Sequence, residues 1–354
     1  MRPLRLVAVI GIAASLPLIG QGVSAQTLTY SLFERYLDSL VESAVIPGVS
    51  ALILQNGTVA WERYYGKADV DQSLDTRPDT PYVIGELSQT VGATLLLKKC
   101  VDESYLELND LVTRWVPTYG EPSTTVRQLL SHAAPGGGYT YSPSRFAQLT
   151  PVIVECAHSA YPKLVWGELL DRFNMANSSP GSTFSSPTSD DRQDFTADQI
   201  AGFANVLRRA AVPYRVDRSG RPNRSDVAPR ALDMSSGLVM TGRDLARFDA
   251  ALGDPIGGSL LIDPSTMQLS WPDPSSSRGM GFGWFVQTYN GEKLVWQFGL
   301  TPNAYSSIIL KVPGRRLTLI MLANSDGLAA PFGLENGDVT TSIFARTFLK
   351  LFIS

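Results

Sequence analysis

Apolar residues recur with helical spacing near the start of the chain and in strand-like runs after it. Residues 28–45 place apolar and aromatic side chains on one helical face, which predicts an amphipathic helix. Residues 49–69 predict a β-hairpin, because Asn56-Gly57 provides a tight turn between an apolar strand and a strand rich in aromatic residues. Residues 281–299 repeat this pattern around Asn290-Gly291.

The last part of the chain adds further strands, whereas the middle is mainly helical. Residues 305–313 and 316–325 predict two strands, and residues 339–352 predict a closing helix. The segment 174–194 is rich in Ser, Pro, Asn and Asp and predicts a loop. The predicted helices of the middle part are residues 87–100, 124–131, 144–158, 164–173, 197–210 and 242–252.

This order of elements predicts an α+β fold. Strands at both ends of the chain, joined by tight hairpins, favour a largely antiparallel sheet assembled from both termini and flanked by helices. A mainly helical lobe, about residues 86–229, is then inserted into an α/β lobe, about residues 26–85 and 230–354. Residues 26–354 together form one predicted domain.

The first 25 residues have the pattern of a secretory signal peptide. Arg2 and Arg5 precede an uncharged apolar run, and Val23-Ser24-Ala25 fits a small-x-small cleavage site. Small and polar residues interrupt the run before the roughly 20 apolar residues of a membrane span are reached. We therefore expect cleavage after Ala25, export to a periplasm or the extracellular space, and no stable membrane span in the mature protein.

Composition narrows the possible partners and cofactors. The chain is 44% hydrophobic and 18% charged, and its net charge of −3 becomes −5 without Arg2 and Arg5, which gives no indication of nucleic-acid binding. The chain has no paired histidines and no third cysteine, which argues against a zinc site, and no cofactor or metal is expected. In an oxidising compartment Cys100 and Cys156 are candidates for a disulfide bond, with two buried thiols as the alternative.

Several stretches occur in an order that is informative when they are taken together. They are IPGVSALILQNGTVAWERYYGKAD, TPYVIG, VRQLLSHAAPGGG, AVPY, MSSGLVMTGRDLARF, GMGFGWFV and ILKVPGRRLTLIMLAN. In this order they resemble the family of class C β-lactamases, serine D-Ala-D-Ala carboxypeptidases and related esterases, over nearly the whole mature chain. The resemblance implies a serine hydrolase fold and places three catalytic motifs on this sequence.

The first motif of that family, Ser-x-x-Lys at the start of a helix, is replaced here. The resemblance aligns Glu86 with the serine and Gln89 with the lysine. Glu86 is a weak nucleophile whose ionised form a helix N-terminus favours, and Gln89 has no basic nitrogen. Ser88 is not a shifted nucleophile, because Val91 would then occupy the lysine position and Ser88 would point away from Glu86 around the helix.

The second and third motifs are also incomplete. Tyr141 matches the tyrosine of Tyr-x-Asn, as the only catalytic-type residue retained, but Pro143 replaces the asparagine. Packing of a loop is an equally good role for Tyr141. Gln297 stands where the third motif has a cation, and Gly299 keeps the glycine that allows a substrate or a backbone segment to approach.

The two histidines, His132 and His158, are interpreted as a structural residue and a helix-end residue.

Three functions are compatible with these replacements. The first is an exported relative that does not hydrolyse and acts in binding, with neutral or cationic ligands favoured because Glu86 repels carboxylates. The second is a hydrolase of altered chemistry, in which Glu86 is the base or nucleophile and Tyr141 the proton donor. The third is a cell-envelope scaffold whose cleft is filled by side chains and has no role.

Overall fold

A computed structural model describes residues 25–134, 136–253, 260–275 and 279–353. Except for Ala25, the predicted signal peptide lies outside the described residues, and its cleavage stays a prediction. The division into two lobes at residues 86 and 229 also stays a prediction. None of the helices in the described ranges has the length and apolar character needed to span a lipid bilayer.

The centre of the fold is an antiparallel sheet of seven strands. Its order is β3-β2-β1-β11-β10-β9-β8, and every neighbouring pair is antiparallel. This confirms the predicted sheet built from both chain ends. The strands are β1 (Gly48–Gln55), β2 (Thr58–Asp69), β3 (Leu74–Asp75), β4 (Tyr82–Val83), β5 (Tyr214–Val216), β6 (Pro222–Arg224), β7 (Val239–Met240), β8 (Phe285–Tyr289), β9 (Glu292–Thr301), β10 (Tyr305–Val312) and β11 (Leu317–Ala323).

The two predicted hairpins form at their Asn-Gly dipeptides. Asn56 and Gly57 have φ angles of 54° and 75°, and Asn290 and Gly291 have 47° and 79°. Both central residues of these turns therefore adopt the left-handed conformation that suits two-residue hairpins and that Asn and Gly tolerate best.

Eleven α-helices surround the sheet in the described part of the chain. They are α1 (Ala25–Ser43), α2 (Ser88–Leu96), α3 (Val126–Leu130), α4 (Pro143–Ala147), α5 (Leu149–Ala157), α6 (Tyr161–Val165), α7 (Ser189–Asp194), α8 (Ala197–Arg208), α9 (Gly242–Gly253), α10 (Pro264–Ser270) and α11 (Ile343–Phe352). Helices α1 and α11 cover one face of the sheet, where the rings of Phe33 and Phe348 lie 6.0 Å apart. Alternate residues of β1, such as Leu52, pack on the opposite face with α2 and α9.

Two sequence predictions about the helices were wrong. The segment 174–194, predicted as a loop, contains α7, which begins with a capping box in which Thr188 and Asp191 exchange hydrogen bonds between side chain and backbone. The single helix predicted over residues 144–158 is instead two helices, α4 and α5.

Cys100 and Cys156 form a disulfide bond. Cys100 belongs to the helical turn Leu97–Val101, which continues α2, and Cys156 lies near the end of α5. Both residues are buried. The bond therefore fixes the far end of α2, whose beginning carries the candidate site, to the neighbouring helices.

Candidate functional site

The candidate site lies where the start of α2 meets β9, on the face of the sheet that α2 and α9 cover. A short helical turn, Gly85–Leu87, precedes α2, so that Glu86 and Gln89 lie one helical turn apart. Gln297 and Gly299 approach from β9, and Tyr141 approaches from the segment before α4. Of the predicted site positions, Pro143 contributes as the first residue of α4, where it needs no backbone N–H.

Gln89 is fully buried and accepts two hydrogen bonds. His132 Nε2 lies 2.9 Å from Gln89 Oε1, and Gln297 Nε2 donates to the same oxygen at 3.3 Å. The position aligned with the family's lysine is therefore occupied by an uncharged side chain that neighbouring groups hold in place.

His132 is a neutral donor in this arrangement. The backbone N–H of Ser142 donates to His132 Nδ1 at 3.0 Å, so the proton of the ring lies on Nε2 and points to Gln89. Burial, and secondarily the charge of the nearby Arg145, lowers the pKa of His132 to about 3. The sequence interpretation of His132 as structural did not include the Gln89 contact, because no sequence spacing relates residues 43 positions apart.

Gln297 is held as tightly as Gln89. Its Nε2 also donates to the carbonyl of Gly283 at 3.1 Å, and its Oε1 accepts from the backbone N–H of Phe298 at 2.9 Å. The side chain is fully buried. The amide thus fills the space beside Gln89 instead of lining an opening.

Glu86 directs its carboxylate at the backbone of β9. The N–H of Leu300 donates to Glu86 Oε2 at 2.7 Å, and the backbone N–H of Glu86 itself also stabilises the carboxylate. Burial is nevertheless the largest influence and raises the pKa of Glu86, while Arg230 opposes this rise and Asp233 adds to it. The backbone donors at the helix start do favour the ionised form, as the sequence predicted, but desolvation outweighs them, so the net shift has the opposite direction.

Replacing Glu86 with glutamine is expected to stabilise the protein at pH 7. The folded protein binds the Glu86 proton more tightly than the unfolded chain, so the associated stability is complete below the ordinary pKa of 4.5 and is lost as the pH rises through the raised pKa. Glutamine keeps an acceptor for the Leu300 N–H and carries no charge. Urea unfolding of both proteins between pH 4 and 8 measures the difference.

The stability gain of Glu86→Gln over the unmodified protein should disappear towards pH 4. The same substitution at the exposed Glu42 of α1 serves as the control. A gain that is equal at all pH values would contradict the raised pKa.

The strand edge at Gly299 is covered by the chain itself. A methyl group at Gly299 would lie 2.0 Å from the Ile84 carbonyl oxygen and 2.5 Å from Ser307 Oγ. Ser307 Oγ in turn donates to the Ile84 carbonyl at 2.8 Å. The sequence left open whether Gly299 allows a substrate or a backbone segment to approach. In the structure a backbone segment, that of Ile84, approaches it.

Tyr141 packs among aromatic rings at the same site. Its ring lies 4.6 Å from that of His132, 5.5 Å from that of Phe298 and 5.7 Å from that of Phe285. Burial, and secondarily the charge of Glu86, raises the pKa of the Tyr141 hydroxyl well above its ordinary value, and the Gln89 side chain opposes this. Tyr141 is therefore a protonated phenol at neutral pH.

The remaining candidate residues have local roles. Ser88 Oγ donates to the Gly85 carbonyl at 2.8 Å and accepts from the Leu238 N–H at 3.3 Å, and the residue is buried. His158 ends α5 with a φ of 49° and is exposed. No cluster of three or more His, Cys, Asp or Glu side chains suitable for a metal occurs among the described residues.

Buried side chains fill the inner part of the site, whereas Glu86 and Tyr141 are half-buried. Gln89 and Gln297 have no exposed surface and His132 is 1% exposed. Five cavities formed by other described residues have volumes between about 170 and 560 Å³, and none of the five is lined by Glu86, Gln89, Tyr141 or Gln297.

Comparison with known proteins identifies the family. The beta-lactamase family model matches residues 33–339. The chain belongs to the β-lactamase family. This β-lactamase relative is similar to the protein flp of Staphylococcus aureus strain NCTC 8325, with 24% identity in an alignment 351 positions long, which covers 86% of this chain and 65% of flp. The chain thus spans slightly less than two thirds of that relative.

Solved structures of similar proteins share the fold. A penicillin-binding protein homologue from Pyrococcus abyssi, described as octameric, superimposes with a TM-score of 0.69 and 18% identity, covering 91% of this chain and 77% of that one. D-alanine carboxypeptidase AmpC from Burkholderia cenocepacia gives a TM-score of 0.69 and 17% identity, covering 92% of this chain and all of that one. At these identities the likeness establishes the β-lactamase fold alone.

Proposed function

We propose that this β-lactamase family member is exported, does not hydrolyse by acyl transfer to a serine, and acts by binding through surfaces outside the filled site. The observation that carries this proposal is the Glu86 carboxylate, which accepts the Leu300 N–H at 2.7 Å. In acyl-transfer enzymes, backbone N–H groups that point into the active site stabilise the oxyanion of the reaction. In this chain the Glu86 carboxylate already accepts the hydrogen bond of such an N–H group, that of Leu300.

Neither His132 nor Tyr141 is a base for a nucleophile. His132 uses Nδ1 to accept from Ser142 and Nε2 to donate to Gln89, so neither nitrogen is available to take a proton. The raised pKa of Tyr141 keeps its hydroxyl protonated. A nucleophile placed beside these residues would therefore remain unactivated.

A second candidate is a hydrolase that uses Glu86 as general acid or base. It is favoured by one observation, the raised pKa of Glu86, which is typical of carboxyl groups in proton transfer. Any ligand that reached Glu86 would be neutral or cationic, because the ionised carboxylate repels other anions. Hydrolysis of a p-nitrophenyl ester that is abolished by Glu86→Gln would support this candidate over the first.

Covalent labelling tests the proposed lack of acyl transfer. We expect purified protein to take up neither fluorescent penicillin nor a fluorophosphonate probe, as judged by intact-mass spectrometry after incubation. An active class C β-lactamase is the positive control. Stable labelling of any serine in the native chain would refute the non-hydrolytic assignment.

Partial restoration of the family motif should also fail. We expect the double variant Glu86→Ser with Gln89→Lys to label poorly, because Pro143 and Gln297 remain. A lysine at position 89 would moreover place its ammonium group against the two donors that now point to Gln89 Oε1, those of His132 and Gln297. Labelling at the level of the control enzyme would show that these surroundings do not prevent catalysis.

Export rests on the pattern of residues 1–25. Its test is N-terminal sequencing of the protein secreted by the expressing cell. A mature chain beginning at Gln26 would support export, whereas an intact Met1 on protein retained inside the cell would argue against it.

A further inference from the structure

A groove beside the C-terminal end of α1 carries a second inference. Its volume is about 440 Å³, within the range of ligand-binding clefts. It lies on the face of the sheet that α1 and α11 cover, between the end of α1, the segment that joins α1 to β1, and β2. The candidate site lies on the opposite face, and no residue of that site lines the groove.

One part of the groove is apolar and firmly held. Val41 and Ile46 line it from the core, and Val45 at its edge is 39% exposed. The Ile46 N–H donates to the Val41 carbonyl at 3.2 Å, and the Pro47 carbonyl accepts from the Lys67 N–H at 2.7 Å. The groove therefore offers a preformed surface to an apolar group.

Two carboxylates without a cationic partner line the same groove. Glu34, Asp38 and Glu42 follow one another at intervals of four residues, which places them along one side of α1. Glu34 pairs with Arg63 of β2 at 2.5 Å. Among the described residues, no lysine, arginine or histidine nitrogen lies within 4.0 Å of the carboxylates of Asp38 and Glu42. The lining thus contains two acidic residues and no basic one.

Two cations of β2 close to the groove are balanced by other carboxylates. Arg63 Nε pairs with Glu34, and Lys67 Nζ pairs with Asp75 at 2.6 Å. The charge of Arg63 also acts on Asp38, but the ion-pair partner of Arg63 is Glu34. The two groove carboxylates therefore remain as a net negative charge.

Tyr65 adds an aromatic ring to the groove. Its hydroxyl oxygen has almost no exposed surface. Burial raises the pKa of Tyr65, and the charge of Asp38 raises it further, so the phenol beside Asp38 is neutral at physiological pH. Carboxylates and aromatic rings both attract ammonium groups, and the groove presents them next to an apolar surface.

We propose that this groove binds a small organic ammonium ion that carries an apolar group. The ammonium N–H groups would donate to Asp38 and Glu42, and the apolar group would lie against Val45 and Ile46. The apolar surface favours such a cation over an inorganic one, which is bound by oxygen ligands alone. The proposal rests on the proposed function, because it names a ligand class for one of the surfaces through which the protein binds.

Isothermal titration calorimetry of the purified protein with phenethylammonium chloride tests the proposal. The controls are 2-phenylethanol, which has a similar shape but no charge, and ethylammonium chloride, which has the charge but no ring. We expect phenethylammonium to bind at least about tenfold more tightly than either control, with an affinity that falls as salt is added. Absence of saturable binding by phenethylammonium, or equal binding of either control, would overturn the proposal.

Two variants locate the binding site in the groove. The double variant Asp38→Asn with Glu42→Gln should weaken binding by about tenfold or more, whereas Glu155→Gln on the exposed surface of α5 should not. Val45→Asn removes apolar surface and should weaken binding severalfold. This variant should fold normally, because asparagine tolerates the φ of 51° at position 45 better than valine does.

Unchanged binding by the double variant would refute the carboxylate contacts, and unchanged binding by Val45→Asn would refute the apolar contact. Calorimetry of these ligands involves no acyl transfer, so failure of this proposal and failure of the non-hydrolytic assignment are separate results.

Discussion

Replacing Gly299 with alanine is expected to lower the free energy of unfolding by about 3 kcal/mol or more. The added methyl group would lie 2.0 Å from the carbonyl oxygen of Ile84, a backbone atom that cannot rotate away. Ile84 is itself fixed, because its N–H donates to the Leu238 carbonyl at 3.1 Å and its carbonyl accepts from Ser307. Urea denaturation followed by circular dichroism measures the loss.

Gly202→Ala is the matched control for this substitution. Gly202 lies on α8, and a methyl group there would meet no atom within 4 Å. Alanine should leave stability unchanged or raise it by up to about 1 kcal/mol, because glycine is the poorer helix former. A loss below about 1 kcal/mol for Gly299→Ala would mean that β9 and the Ile84 backbone separate readily, which would reopen the case for a ligand at this edge.

Replacing Gln89 with leucine is expected to cost about 2 to 5 kcal/mol. Leucine has a similar size but no acceptor, so the N–H of His132 Nε2 and one of the two N–H groups of Gln297 Nε2 would be left unpaired in the interior, while the other N–H of Gln297 still donates to the Gly283 carbonyl. Each unsatisfied buried donor costs about 1 to 3 kcal/mol. Urea denaturation at pH 7, where His132 is neutral, measures the change.

A double-mutant cycle distinguishes the lost hydrogen bond from general repacking. His132→Phe keeps an aromatic ring beside Tyr141 and Phe146 but removes the donor that points to Gln89. The double variant Gln89→Leu with His132→Phe should therefore lose about 1 kcal/mol less than the sum of the two single variants. Additive losses would show that the contact between His132 and Gln89 contributes nothing specific.

The sequence was sufficient for the fold because its signals are local. Asn56-Gly57 and Asn290-Gly291 specify hairpin turns by the φ angles that these residues tolerate, and the apolar and aromatic runs that flank each turn predict its two strands. The helix α7 carried a comparable local signal, the capping box of Thr188 and Asp191, which the polar composition of its surroundings obscured. Local chemistry thus predicted most elements and would have predicted one more.

The interior of the site could not be predicted in the same way. The contact of Glu86 with Leu300 joins residues 214 positions apart, and that of Gln89 with Gln297 joins residues 208 positions apart. The resemblance to a family indicated which residues converge, but only packing decides that they fill the space. The pKa of Glu86 illustrates this, because the helix start is visible in sequence whereas the extent of burial, which determines the direction, is not.

Because Cys100 and Cys156 form a disulfide bond, the stability of the protein depends on whether it matures in an oxidising compartment. The bond ties the continuation of the helix that bears Gln89 to α5 across a separation of 56 residues. In a reducing cytosol this bond does not form. The unfolded chain then has more conformational entropy, which lowers the free energy of unfolding by as much as about 4 kcal/mol. In protein prepared from the cytosol, α2, which carries Gln89, is therefore less firmly attached to α5 than in protein that matured in an oxidising compartment.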